Sequence, residues 1–234
     1  NSTGNADDQS QSTEEYSGFG GFVDPRTPMT TQSGLPDYFH GNSGNIQTMT
    51  YGHIRNCNDA IEGIIGGTLS EEQKNELLGQ LYFLRAWRYY NLVKWYGGVP
   101  IVKEVQEIKA ESVTPRSTTK ECIDFICEDL DKAVKMLAPL TENGGWSAKN
   151  FGRVTSGTAM ALLGRVRLLY ASPLFNRSNA VERWQQAYDD IKASISVLDK
   201  CGNGLQNENA PGKNASGWAS LFSQVEGNKE AVFI

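Results

Sequence analysis

The residues best able to engage a ligand gather in two glycine-flanked stretches. The first carries Phe19, Phe22, Arg26, Tyr38, Phe39, His40 and Asn42, and the second is Gly144-Gly145-Trp146. Aromatic faces stack on the C–H face of a sugar ring, while guanidinium, imidazole and amide groups hydrogen-bond its hydroxyls. That is the chemistry of a shallow carbohydrate site. The plainer reading of each ring is that it pins a long loop to a helical core, or in the case of Trp146 caps the core beneath.

Catalytic and metal-ligating patterns are missing from the sequence. The histidines are His40 and His53, and the cysteines Cys57, Cys122, Cys127 and Cys201. Cys122 and Cys127 diverge on a helix and match no zinc spacing, so the four read as small buried apolar residues, with a disulfide still open. No Gly-rich phosphate loop, Gly-x-Ser-x-Gly or His-Glu-x-x-His occurs. Asp7, Asp8, Glu14 and Asp37 could be imagined as a glycosidase pair, but any polar loop of that length contains carboxylates. The expectation is a protein that is not an enzyme and needs no cofactor or metal. A net charge of −5 argues against a nucleic-acid partner. No apolar run reaches the roughly 18 residues of a membrane-spanning helix.

The elements that must position these loops are helical. Ser70-Glu71-Glu72-Gln73 is a capping box, and Gly97-Gly98 with Pro100 is a stop. About 27 residues lie between them, a rod of roughly 40 Å. It is apolar over most of its circumference, with Phe83, Trp87 and Tyr90 widening the face and Arg85, Arg88 and Asn91 on a narrow polar stripe. Such a helix is a central strut.

A helix from about Ile46 to Ile65 precedes it, with His53 on the apolar face as a satisfied core histidine, and should pack antiparallel to the strut. Thr118-x-x-Glu121 opens a third helix that Pro139 is expected to end. On it Asp124, Glu128, Asp129 and Asp131 read as a solvated face. A fourth helix, Thr155 to Ala171, carries Gly157, Ala159, Ala161 and Gly164, small enough for close helix approach. Trp184, Tyr188, Ile191, Ile195 and Leu198 stripe a fifth, and Glu230–Ile234 reads as the start of a strand. The expected organisation is a loop-rich segment over residues 1–45, a helical core over 46–201, and a loop with the start of a further part over 202–234.

Two long blocks carry a family resemblance. Arg85-Ala86-Trp87, Tyr90, Leu92-Val93, Tyr96-Gly97 and Val99-Pro100 form one. Gly164-Arg165-Val166, Tyr170-Ala171-Ser172-Pro173 and the following Leu-Phe-Asn form the other. Tyr51 to Asn58, Pro115-Arg116-Ser117 and Asn228-x-Glu230 match in the same order. The chain resembles the SusD/RagB family, surface lipoproteins that bind nutrients for outer-membrane transporters of Bacteroidetes.

The resemblance implies a mainly α fold of tetratricopeptide-like helix pairs with long irregular loops. The opening Trp184-x-x-Ala187-Tyr188 is itself similar to such pairs. It implies a protein that captures a glycan, or a peptide, and passes it to a TonB-dependent β-barrel of the SusC-like kind. It also implies a lipid anchor preceding Asn1, an outward-facing place on the outer membrane, and a further part following Ile234. The alternative from the helical pattern alone is a tetratricopeptide-type scaffold that holds a partner's peptide.

Overall fold

The computed structural model describes residues 48–106, 114–143, 145–205, 219 and 228–232. The chain divides into two compact units, Asn1–Tyr51 and Gly52–Ile234, and the described residues lie almost wholly in the second. Among the described residues there are five helices: α1 (Thr48–Gly66), α2 (Glu71–Tyr96), α3 (Thr119–Glu142), α4 (Ser156–Ala171) and α5 (Val181–Lys200). A short 3-10 turn covers Ala148–Asn150. Among the described residues there is no strand, and no helix is long and apolar enough to cross a membrane.

Two helices start where the sequence places a reciprocal cap, and a third, α4, starts on one that the sequence reading did not mark. Ser70 Oγ accepts from Gln73 N at 3.3 Å while Gln73 Oε1 accepts from Ser70 N. Thr118 and Glu121 repeat the arrangement on α3. On α4 the hydroxyl of Thr158 replaces the usual carboxylate opposite Thr155. Each cap satisfies two N–H groups that the first turn would otherwise leave unpaired.

Each later helix packs against the next, α2 on α3, α3 on α4 and α4 on α5. Lys74 Nζ donates to the Ile65 carbonyl and Arg85 reaches Asn58, so α1 runs back along α2. Small residues set the spacing. A methyl group on Gly79 would meet Leu137 of α3, and one on Gly164 would meet Ile191 of α5 at 2.6 Å. Gly157 likewise faces Leu198, so the expected close approach of α4 is made against α5.

Five expectations need correction. Pro139 does not end α3, which continues to Glu142. In the last turn a proline forfeits one N–H bond, and here the Pro139 carbonyl still accepts from Asn143 N at 3.1 Å. Asp129 is not on a solvated face but fully buried, and Arg85, read as one of a polar stripe, is only 4% exposed. His53 is half-buried, yet its Nδ1 has no hydrogen-bond partner among the described residues. Residues 228–232 form turns and bends, not the start of a strand. The fifth stripe is largely exposed, with Trp184 at 38%, Tyr188 at 57% and Ile195 at 56%, because Ala187 and Ser194 are the α5 residues that become buried. The four cysteines are all free thiols.

Candidate functional site

The block that carries the resemblance is built around an extended strip, Val99–Glu104, that leaves the end of α2. It has no sheet to join, so its backbone groups must find other partners. Side chains supply them. Tyr89 Oη accepts from Val102 N at 2.8 Å, and Asn58 Nδ2 donates to the carbonyls of Val102 at 3.0 Å and Glu104 at 3.3 Å. Cys122 Sγ accepts from Val99 N, and Arg116 donates to the carbonyls of Tyr96 and Gly98. Gly97 turns the chain at φ 67°, and a methyl group on Gly98 would collide with the Ser117 carbonyl.

Arg85 is the hub. It donates Nε and Nη2 to the two oxygens of Asp129 at 2.7 and 2.8 Å, and Nη1 to Asn58 Oδ1 at 2.7 Å. Nη1 also reaches the Lys103 carbonyl, and the guanidinium lies over the rings of Tyr82 and Phe125. Burial pushes the Asp129 carboxyl up while the paired guanidinium pulls it back, and the same pairing holds Arg85 firmly protonated. Every polar group here is satisfied within the protein, which makes it architecture and not a ligand site. The second block behaves alike. Asn176 bonds Ala171 and Ala180, and Arg183 covers the Tyr170 ring at 3.9 Å, fixing the turn between α4 and α5.

Open depressions among the described residues are the candidates; one of about 490 Å³, between Glu72–Glu76 and the end of α3, has no aromatic ring, and three others remain. The first, about 650 Å³, lies between the strip and α3 and is lined by Lys103, Glu104, Glu121, Asp124 and Glu128. Its α3 carboxylates are already engaged: Glu121 with the Thr118 cap, Asp124 with Lys120 at 2.6 Å and Glu128 with Lys132 at 2.8 Å. Its one ring, Phe125, is buried beneath Lys103. The second, about 700 Å³ beside α5, is aliphatic, with Ile195, Leu198, Leu205 and Val232.

The third has the right chemistry for a sugar. About 400 Å³ opens between α2 and α4, which both pack on α3 and touch one another over only a small patch. Phe83 and Trp87 stack along one side, with centroids 6.2 Å apart and planes 28° apart. Thr158, Ala161, Leu162 and Arg165 of α4 form the other, with Glu230–Val232 as an end wall that Thr158 Oγ1 ties down by donating to the Val232 carbonyl. The half-buried Trp87 ring, with hydroxyl, guanidinium and carboxylate groups around it, can stack on a pyranose and bond its hydroxyls. The sequence pattern assigned Phe83 and Trp87 to a buried face, which holds for Phe83 at 1% exposed, while Trp87 is half-buried. The missed signal was that they lie on the side of α2 opposite Arg85, facing a helix rich in small residues.

Of the residues expected to bind, Phe19, Phe22, Arg26, Tyr38, Phe39, His40 and Asn42 lie outside the described residues. Trp146 is half-buried, donates Nε1 to the Val154 carbonyl at 2.8 Å and is covered by Arg153 at 5.5 Å. It does not line the α2–α4 groove. Burial raises the thiols of Cys57 and Cys122 and pushes that of Cys127 up to about 11, which keeps these three protonated and poor nucleophiles. No cluster among the described residues could hold a metal ion.

Comparison with known proteins adds the family. The SusD-like family model, described as "Starch-binding associating with outer membrane", matches residues 31–168, more than half of the chain. A SusD-like protein of Bacteroides ovatus is 26% identical over 110 residues, covering 47% of this chain and 19% of that protein. The crystal structure of a SusD-like protein from Bacteroides fragilis superposes with a TM-score of 0.64 at 32% identity, over 81% of this chain and 33% of that one. A laminarin-binding SusD-like protein shares the fold, with a TM-score of 0.52 at 22% identity over 70% of this chain and 31% of that one. The chain thus spans about a third of the length of these solved relatives.

Proposed function

The chain belongs to the SusD-like family, and from that membership we propose that it is a glycan-binding protein of a nutrient-uptake system at the outer membrane. It captures an oligosaccharide without cleaving it and delivers it to a partner TonB-dependent β-barrel transporter. It is held outward-facing by a lipid anchor. Supporting this reading is the family description, which names starch and the outer membrane, and a relative that binds laminarin. The observation that carries it on this chain is the α2–α4 groove, where the Phe83–Trp87 stack adjoins Thr158, Arg165 and Glu230. Trp146 and the first-loop residues Phe19 to Asn42 remain proposed further contacts.

Gentle detergent extraction of native outer membranes, capture of this protein, and titration of the captured material with an oligosaccharide panel test the proposal. A co-purifying β-barrel in fixed stoichiometry, together with saturable sugar binding and no released products, is the expected result. One observation favours a second reading, a peptide-holding scaffold: α5 exposes Trp184, Tyr188 and Ile195 along one face. Peptide affinity without sugar affinity would decide for it.

A further inference from the structure

The groove between α2 and α4 has two unlike ends. Gly79 of α2 meets Leu137 while Arg85 meets Asp129, and Thr141 at the end of α3 bonds Ser156 at the start of α4. Both α2 and α4 therefore run antiparallel to α3 and parallel to each other. Along that shared direction each wall of the groove becomes more open. On α2, Phe83 is 1% exposed and Trp87, one turn later, is half-buried. On α4, Thr158 in the first turn is 4% exposed, Arg165 is exposed, and Leu168 just beyond it is 44% exposed. The groove is deepest where α4 begins and runs out to solvent past Arg165.

The deep end is closed by backbone. Residues 228–232 are fastened on one side beyond the end of α5, where Asn203 Nδ2 donates to the carbonyls of Lys229 at 3.2 Å and Ala231 at 3.1 Å, and Gly204 N donates to Lys229 at 3.0 Å. On the other side Thr158 Oγ1 donates to the Val232 carbonyl at 2.9 Å. Internal bonds stiffen the turn, with Glu230 N donating to Asn228 Oδ1 and Ala231 N to the Asn228 carbonyl. The segment thus crosses the start of α4 and places Glu230, Ala231 and Val232 in the groove lining. Backbone held from both sides is a stop and not a side chain that can swing away. From Thr158 to Arg165 the groove extends about 10 Å, room for roughly two pyranose rings end to end.

We infer that the groove takes the terminus of a glycan chain, its last ring against residues 230–232, its neighbour on Trp87, and the rest of the chain leaving past Arg165. This rests on the glycan-binding reading above and names the ligand class for that site. An internal ring carries a glycosidic bond on both sides, and the fastened segment leaves no path for the second. Asn203 is a positioning residue: it does not line the groove, but it holds the stop in place.

The test is calorimetry on the full chain with three ladders: maltooligosaccharides, laminarioligosaccharides and xylooligosaccharides. Each ladder holds a trisaccharide, a hexasaccharide and a chain of about 25 rings, with affinity expressed per mole of chain. In a ladder that binds, that affinity should stay within about twofold from the shortest member to the longest, because every chain has the same termini. A site that reads internal rings finds more registers on a longer chain, so its affinity per chain should climb about tenfold over the same range. Borohydride reduction of the trisaccharide separates the two termini: loss of binding assigns the reducing end, and retention assigns the non-reducing end. Asn203→Ala should loosen the stop, weaken the trisaccharide and give the longest chain an advantage over it. An affinity that climbs with length in the parent, or a length-independence that Asn203→Ala leaves intact, overturns the chain-end inference alone. Absence of binding to all three ladders overturns the glycan-binding reading itself.

Discussion

Helix α2 has two faces that solve opposite problems. On one, Arg85 and Tyr89 bury polar atoms and satisfy all of them, through Asp129, Asn58 and the strip from Val99 to Glu104. On the other, Phe83 and Trp87 line an open groove, and Tyr90 and Lys94 continue the same stripe with the Lys94 ammonium over the Tyr90 ring. The helix rotates about 100° per residue, so the two sets are separated by roughly half a turn. The motif residues divide between the faces: Arg85, Leu92 and Tyr96 lie on the first, Trp87 and Tyr90 on the second. The groove falls on the second. One hallmark block therefore both holds a connection in place and contributes a ring to the groove.

The largest effect should come from breaking the first face. Asp129→Ala leaves a buried guanidinium without its bidentate partner and is expected to cost about 3–5 kcal/mol by urea unfolding. The double variant Arg85→Met, Asp129→Leu should recover much of that loss, since it removes both charges together. If Asp129→Ala costs under about 1 kcal/mol, the node is not holding the fold.

Asn58→Ala should cost less, about 1–3 kcal/mol, by stranding the carbonyls of Val102 and Glu104. Its amide exchange signature should be confined to the strip and to α1. Trp146→Phe, which keeps a ring but removes the bond to the Val154 carbonyl, is expected to lose about 1 kcal/mol. On the second face, Lys94→Gln should change stability by no more than about 0.5 kcal/mol, and upward if it moves at all, because it relieves repulsion from Arg165.

The smallest effect is an acid-side one on α3. Hydrogen bonds from Thr118 hold Glu121 below the ordinary carboxylate value, and Lys132 does the same for Glu128. A depressed native value means that this stabilisation is present above the unfolded carboxylate range and fades as pH falls through the native one. Urea midpoints should therefore decline below about pH 4.5, and Glu121→Gln should flatten that decline slightly.

Much of the fold could be read ahead of the structure, because caps and stops are local. Ser70 with Gln73, Thr118 with Glu121 and Gly97 each announce a helix end within four residues of sequence. Asp129 was illegible for the opposite reason. It sits among Asp124, Glu128 and Asp131, and the partner that pulls it inward is Arg85, remote in sequence and on another helix. The exposed stripe of α5 misled in part: Ile191 and Leu198 do face α4, but with the buried Ala187 and Ser194, while Trp184 and Tyr188 turn outward. The groove needed three separate segments, α2, α4 and residues 230–232, so no single window of sequence contained it.

The most direct test of the division between the two faces is a binding isotherm of Trp87→Ala with the oligosaccharide that the parent protein binds, alongside the same isotherm for Asn58→Ala. The account predicts that Trp87→Ala loses at least about tenfold in affinity while still unfolding cooperatively, and that Asn58→Ala, although less stable, binds as the parent does. Unchanged affinity in Trp87→Ala would place the ligand elsewhere and contradict the assignment of α2's second face.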